Sequence, residues 1–315
     1  MIEVVSPGWL AVIVDGGRHG LADVGVPPSS ALDGFAFRTL NSLLGNPGGR
    51  PALEVMGSDF RLLFREDMGC AITGAKVSAF LDDLPLKPWS AFQAPKGSLL
   101  RVREVTEGLR YYVGFTGLME ADEVMGSYTT NIECRFGGYR GRPLMKGDRI
   151  GIVEGRPGIE ASSAPAGPIP SMAPPHVLRI VPGPEWGSFC DAPAESVNGQ
   201  GKEPTWFTVS ARLNRTGIRL EGDPILFKEK ADRSIVSEGV LPGTVQVPGD
   251  GMPIIVLYER TIGGYARMGI VAAVDRDRLA HLRPKDPVAF RVIGRDEAER
   301  LGRIGSGERP CGLPE

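Results

Sequence analysis

The segment ERTIGGYARMG, residues 259–269, gathers two arginines, a threonine, a tyrosine and a glycine pair between two short apolar runs, 254–258 and 270–274. A guanidinium binds a carboxylate or phosphate through parallel hydrogen bonds, and glycines let a ligand approach the backbone closely. Arg260, Thr261 and Tyr265 are therefore candidates for gripping an anion or a carbonyl. Three further polar stretches share this character. Residues 211–222, ARLNRTGIRLEG, offer Asn214, Arg215 and Thr216. Residues 15–33 place Asp15, Arg18, His19 and Asp33 around glycines, and ITGAK, 72–76, combines small residues with a lysine.

Other chemistries lack their residues. There is no G-x-x-x-x-G-K-[ST] phosphate loop and no G-x-S-x-G nucleophile elbow. His19, His176 and His281 are too scattered for a zinc pair, so no metal site is expected. Cys70, Cys134, Cys190 and Cys311 form no C-x-x-C and read as reduced thiols. A net charge of -2 gives no field for collecting nucleic acid or binding an anionic membrane. No apolar run is long enough to span a bilayer, and the first residues lack the basic start of a signal peptide, so a cytoplasmic protein is expected.

The elements that must position these groups are mostly short strands. Forty-three glycines and 27 prolines demand many turns, whereas helical periodicity is clear only at 29–46, with a shorter helix expected at 275–282 capped by Asp275. The runs 254–258 and 270–274 read as strands. Six prolines in 154–176 mark a linker, which divides the chain into 1–154, a linker at 155–176, a second domain at 177–294 and a charged tail at 295–315. The halves echo each other in order: 53–64 with 218–227, 108–117 with 251–264, and 143–153 with 281–292. An internally duplicated, mainly β unit is expected.

The opening stretch GLADVGVPPSSALDGFAFRTLNSLLGNPGGRPALEV resembles the corresponding part of the biotin-dependent carboxyltransferase family. That family includes the C subunit of bacterial 5-oxoprolinase, allophanate hydrolase subunit 2, the antagonist of a sporulation-kinase inhibitor and the carboxyltransferase part of urea carboxylase. ITGA at 72–75, GSYTTNIECRFGGYRGRPLMKGD at 126–148, VPGP at 181–184, RTGIRLEG at 215–222 and SEGVLPGTVQVPGDGMPIIVL at 237–257 extend the likeness in order. The chain departs from the family at 259–265, where an acidic or polar residue or two followed by Q-T-T-G-G-Y is replaced by ERTIGGY, about one residue shorter. It also departs at Tyr128, where many members carry arginine.

The resemblance implies two cyclophilin-like β-barrel domains with few helices. It also implies a subunit that works with others in the ATP-dependent opening of 5-oxoproline to glutamate. ATP would act on the complex, because this chain has no phosphate loop. The partners would be a smaller cyclophilin-like subunit and a further hydrolase subunit. On this reading Arg260 holds the substrate carboxylate or a phosphorylated oxygen, and the Gly263 and Gly264 amides face developing negative charge. Thr261 and Tyr265 orient the ring, while Asp33, Asn214, Arg215 and Gln246 complete the pocket. The alternatives are a carboxyltransferase subunit acting on a urea-like amide, with biotin carried by a partner because no M-K-M carrier sequence is present, and a regulatory subunit that catalyses nothing.

Overall fold

The computed structural model describes residues 1–155, 169–190 and 205–306. The chain forms two compact units, Met1–Ala173 and Pro174–Glu315. Both are mainly β and barrel-like. Most of the proline-rich stretch, 156–168, lies outside the described residues.

In the first unit the strands are β1 (Ile2–Pro7), β2 (Leu10–Val14), β3 (Ala52–Met56), β4 (Phe60–Phe64), β5 (Met68–Leu81), β6 (Leu84–Leu86), β7 (Ala91–Ala94) and β8 (Leu99–Phe115). The short β9 (Leu118–Met119), β10 (Arg149–Ile150) and β11 (Ile152–Val153) follow. The main sheet runs β10-β1-β4-β8-β3-β2, and β5 pairs along β8. It curls into a half-barrel. The inward positions of β4 alternate as its FRLLF sequence requires, with Phe60, Leu62 and Phe64 buried. The stretch ITGAK is not a loop, because it lies inside β5. Gly74, at φ +92°, forms a bulge there against the Arg110 carbonyl, where a Cβ would sit 2.8 Å from oxygen.

The periodic segment gives helix α1 (Gly34–Leu43), shorter than 29–46 because Asp33 caps it and Gly45-Asn46 turns the chain away. Asp33 Oδ1 accepts the Ala36 amide at 2.8 Å. The apolar stripe of α1, including Phe37, Leu40 and Leu43, packs on Val12, Val14, Ala71 and Tyr112. Gly114 in β8 makes room, since a Cβ there would lie 2.8 Å from Leu40 Cδ2. Leu40 is fully buried, and truncating such a leucine to alanine costs about 2–5 kcal/mol.

In the second unit the strands are β12 (His176–Pro182), β13 (Trp206–Leu213), β14 (Gly217–Glu221), β15 (Ser234–Gly239), β16 (Thr244–Val247), β17 (Ile254–Val256), β18 (Ile262–Val271) and β19 (Pro287–Val292). Their order is β12-β19-β13-β14-β17-β16-β18, and β12 also pairs with β18, which closes a seven-stranded barrel. Closure leaves no open edge within the ring. Strand β15 lies outside it, on the first half of β18. Leu178, Phe207, Leu220, Val245, Ile255, Met268 and Phe290 are buried in this unit.

Local differences from the sequence reading have physical causes. After β14 the chain leaves the sheet at Gly222, and residues 223–227 form no strand, since Pro224 has no amide proton to give a ladder. β19 pairs with β12 in parallel, whereas β10 pairs with β1 antiparallel, so the echoed segments close their units differently. The run 270–274 ends β18 and then turns into helix α2 (Ala273–Arg276), followed by a 3-10 turn at Asp277–His281. Asp275 is not the helix cap. It is buried and takes a two-pronged contact from Arg179, at 2.7 Å and 2.6 Å. Residues Arg295–Ser306 of the charged tail form helix α3. None of the described helices is long and apolar enough to cross a membrane.

Candidate functional site

The barrel of the second unit carries a cleft of about 370 Å³, lined from β13, β14, β16, β17, β18 and two loops. Arg212, Asn214, Thr216, Arg219, Gln246, Arg260 and Tyr265 give it its polar groups, and Ile254 and Val256 are among its apolar ones. Among the described residues no acidic side chain lines it. Arg212, Arg219 and Arg260 form no ion pair among the described residues.

Sequence explains how each loop is held. The β13–β14 connection is fixed by Asn214, whose Oδ1 accepts the amides of Thr216 at 2.8 Å and Gly217 at 3.0 Å. That leaves the Asn214 Nδ2 as the group able to serve a ligand. The β17–β18 connection, 257–261, carries Arg260. The loops are joined by the Leu257 amide, which donates to the Thr216 carbonyl at 2.9 Å. They are joined again by Arg215, whose Nε donates to Glu259 Oε1 at 3.1 Å with both side chains buried.

Gln246 forms part of the cleft wall. It is 5% exposed, and its Nε2 is buried with no acceptor. Its amide crosses over Gly263, where a Cβ would stand 2.2 Å from Nε2. Glycine at 263 thus leaves room for the glutamine side chain and does not serve a turn.

The structure brings together Arg260, Tyr265, Asn214, Thr216 and Gln246 among the residues singled out from sequence. The others sit elsewhere. Arg215 is committed to Glu259 and does not line the cleft. Gly263 and Gly264 are not loop residues; they lie inside β18, with Gly263 opposite Glu238 of β15 and Gly264 packed near Ser237. Thr261 gives its carbonyl to the Val240 amide at 2.9 Å and is not among the lining residues. Asp33 caps α1 in the first unit, fully buried. Arg267, the second arginine of 259–269, grips Glu185 at 2.8 Å and 2.7 Å. That hydrogen-bonded guanidinium holds the Glu185 carboxyl below the usual carboxylate range.

Two arginines of the cleft, Arg212 and Arg219, do not stand out in the sequence. Strand alternation could have found Arg219, which lies between the buried Ile218 and Leu220 and must therefore point away from the core.

The polar loop of the first unit is scaffolding. The Asp15 carboxylate accepts from the Gly17 amide at 2.8 Å, the Ser127 hydroxyl at 2.6 Å, the Tyr128 amide at 2.6 Å and the Thr129 hydroxyl at 2.7 Å. Arg18 donates to the carbonyls of Val124 at 2.9 Å and Thr129 at 2.6 Å and lies over Phe136. His19 Nε2 lies 2.9 Å from the Gly16 carbonyl. These contacts order the motif-rich stretch 124–136.

Residues 24–292 match the family model described as carboxyltransferase domain, subdomain A and B. The chain is 33% identical to the C subunit of 5-oxoprolinase from Escherichia coli over 302 residues, covering 95% of this chain and 93% of the relative. The protein of the same name from Haemophilus influenzae is 29% identical, covering 96% and 94%. Among solved structures, the Kluyveromyces lactis urea carboxylase superposes with a TM-score of 0.84 at 26% identity. That match covers all of this chain but 30% of the carboxylase.

Proposed function

This chain belongs to the carboxyltransferase family of subdomains A and B, and we propose that it is a subunit of a complex that opens the lactam of 5-oxoproline to glutamate with ATP. The 33% identity to the C subunit of 5-oxoprolinase supports this over a urea-directed reading, because the urea enzymes match at 26–29%. The observation that carries the chemical part is the donor-rich, acid-free cleft beside Arg260. A lactam is a poor electrophile. Transfer of the γ-phosphoryl group of ATP to the lactam oxygen expels ADP and makes the ring carbon attackable. Water then opens the ring at the C–N bond, and a second water releases phosphate.

Arg260 and its neighbours fit the anionic groups of such a reactant, and Tyr265 and Asn214 fit its orientation. Among the described lining residues there is no serine, cysteine or histidine, and the Thr216 hydroxyl has no histidine or carboxylate beside it in the lining, so no nucleophile is assigned to the cleft. ATP and the remaining chemistry are placed on the assembly, with a smaller cyclophilin-like subunit and a hydrolase subunit as partners. This makes the cleft one part of a composite site. The carboxyltransferase reading keeps one supporting observation, the likeness to urea carboxylase, and requires biotin to arrive on a partner.

Reconstitution tests the proposal. Glutamate and phosphate are measured with this chain alone, with each partner, and with the full set. Turnover is expected from the full set only. Turnover by this chain alone, or a full assembly that carboxylates urea and leaves 5-oxoproline intact, would overturn it.

A further inference from the structure

We infer that the cleft is built for a phosphoryl-bearing ligand with at least two negative charges, rather than for a free monocarboxylate. The charge count leads there. Arg212, Arg219 and Arg260 line one cleft of about 370 Å³ with no acidic residue among its described walls. Three guanidinium groups with no acidic partner among the described lining residues give the cleft a net positive charge. A ligand with one carboxylate offsets one of those three charges. A phosphoryl group brings a charge of about -1.5 to -2 at neutral pH and three acceptor oxygens.

The polar inventory agrees with the charge. Asn214 has spent its oxygen on the Thr216 and Gly217 amides and offers only its Nδ2. Gln246, itself more than nine-tenths buried, has an Nε2 for which the described residues supply no acceptor. A buried donor without a partner is destabilising, and a ligand oxygen relieves that cost. Guanidinium groups donate and never accept. The wall is thus rich in donors, and phosphoryl oxygens are acceptors. This inference rests on the functional reading for its choice of cleft, and it adds that the cleft holds the phosphorylated reactant or the phosphates of a nucleotide in preference to unmodified 5-oxoproline.

Calorimetric titration of the full chain with pyrophosphate, acetyl phosphate, ADP, acetate and 5-oxoproline tests it. Pyrophosphate and at least one of acetyl phosphate and ADP are expected to bind at least tenfold more tightly than acetate and 5-oxoproline. A preference for acetyl phosphate over ADP identifies an acyl phosphate as the source of the phosphoryl group, and the reverse identifies a nucleotide. Arg219→Gln is expected to weaken pyrophosphate binding about tenfold, the equivalent of one lost charge-assisted contact. Gln246→Leu is expected to weaken it severalfold, with thermal melts confirming a folded chain. Acetate or 5-oxoproline binding as tightly as pyrophosphate overturns the inference, as does an unchanged Arg219→Gln. A reconstituted complex that ignores 5-oxoproline while this chain still binds pyrophosphate defeats the functional reading alone. An active complex in which this chain binds no phosphoryl probe defeats this inference alone.

Discussion

Arg215 Nε lies 3.1 Å from Glu259 Oε1 with both side chains 4% exposed, so the loop carrying Asn214 and the loop carrying Arg260 are bolted together beneath the cleft. Two arginines of adjacent loops therefore have different work. Removing one member of a buried pair strands the other charge, at about 3–5 kcal/mol. Arg215→Ala is expected to lower unfolding free energy by that amount in denaturant titrations. Arg260 is exposed and unpaired among the described residues, so Arg260→Ala should change stability by less than about 0.5 kcal/mol while weakening anion binding. Equal destabilisation by the two variants would contradict this division.

Gly263 offers a second test. A methyl group there would meet Gln246 Nε2 at 2.2 Å, and the obstacle is the end of a flexible side chain. Gly263→Ala should therefore displace the glutamine from the cleft wall. The expected outcome is severalfold weaker pyrophosphate binding with a stability loss of about 1 kcal/mol or less. Unchanged binding would mean that the Gln246 amide takes no part in holding the ligand.

His176 gives the second unit a pH dependence. Burial pushes its imidazole below the ordinary 6.5, against an opposing hydrogen bond to Asp286 at 3.2 Å. The unfolded chain then takes up a proton at higher pH than the folded chain. Stability from the neutral ring is fully present above about pH 6.5 and is lost as pH falls through the lower, folded value. Melting temperatures followed downward from about pH 7.5 should fall more steeply for the native chain than for His176→Gln. Parallel profiles would contradict this.

Asp33 separates cap from site. Because its carboxylate is occupied by the Ala36 amide, Asp33→Ala should cost about 0.5–2 kcal/mol of stability. Affinity of the cleft for pyrophosphate should not change. A selective loss of binding in a fully stable variant would return Asp33 to the site.

The sequence made the β-rich architecture and helix α1 legible through short apolar runs, dense turn residues and one clear helical stripe. It also pointed to Arg260, Asn214, Gln246 and Tyr265, which converge on one cleft. Pairing was harder to read. The Gly263-Gly264 doublet looks like a turn, yet β15 extends β18 across it, and nothing local encodes that long-range ladder. Asp15, Arg18 and Arg215 have the residue types of a binding site, but their partners lie far along the chain, at Thr129 and Glu259. Residue type alone cannot tell a charge awaiting a ligand from one already neutralised by the fold.

The most direct measurement is glutamate release by the fully reconstituted complex containing either the native chain or Arg260→Ala. Complex assembly is checked by sizing, and the isolated native chain serves as the blank. The cleft as part of a composite 5-oxoproline site requires no turnover in the blank and robust turnover with the native chain. It also requires a loss of about tenfold or more with Arg260→Ala in an intact complex, the cost of one charge-assisted contact. Full activity from the Arg260→Ala complex would contradict the account.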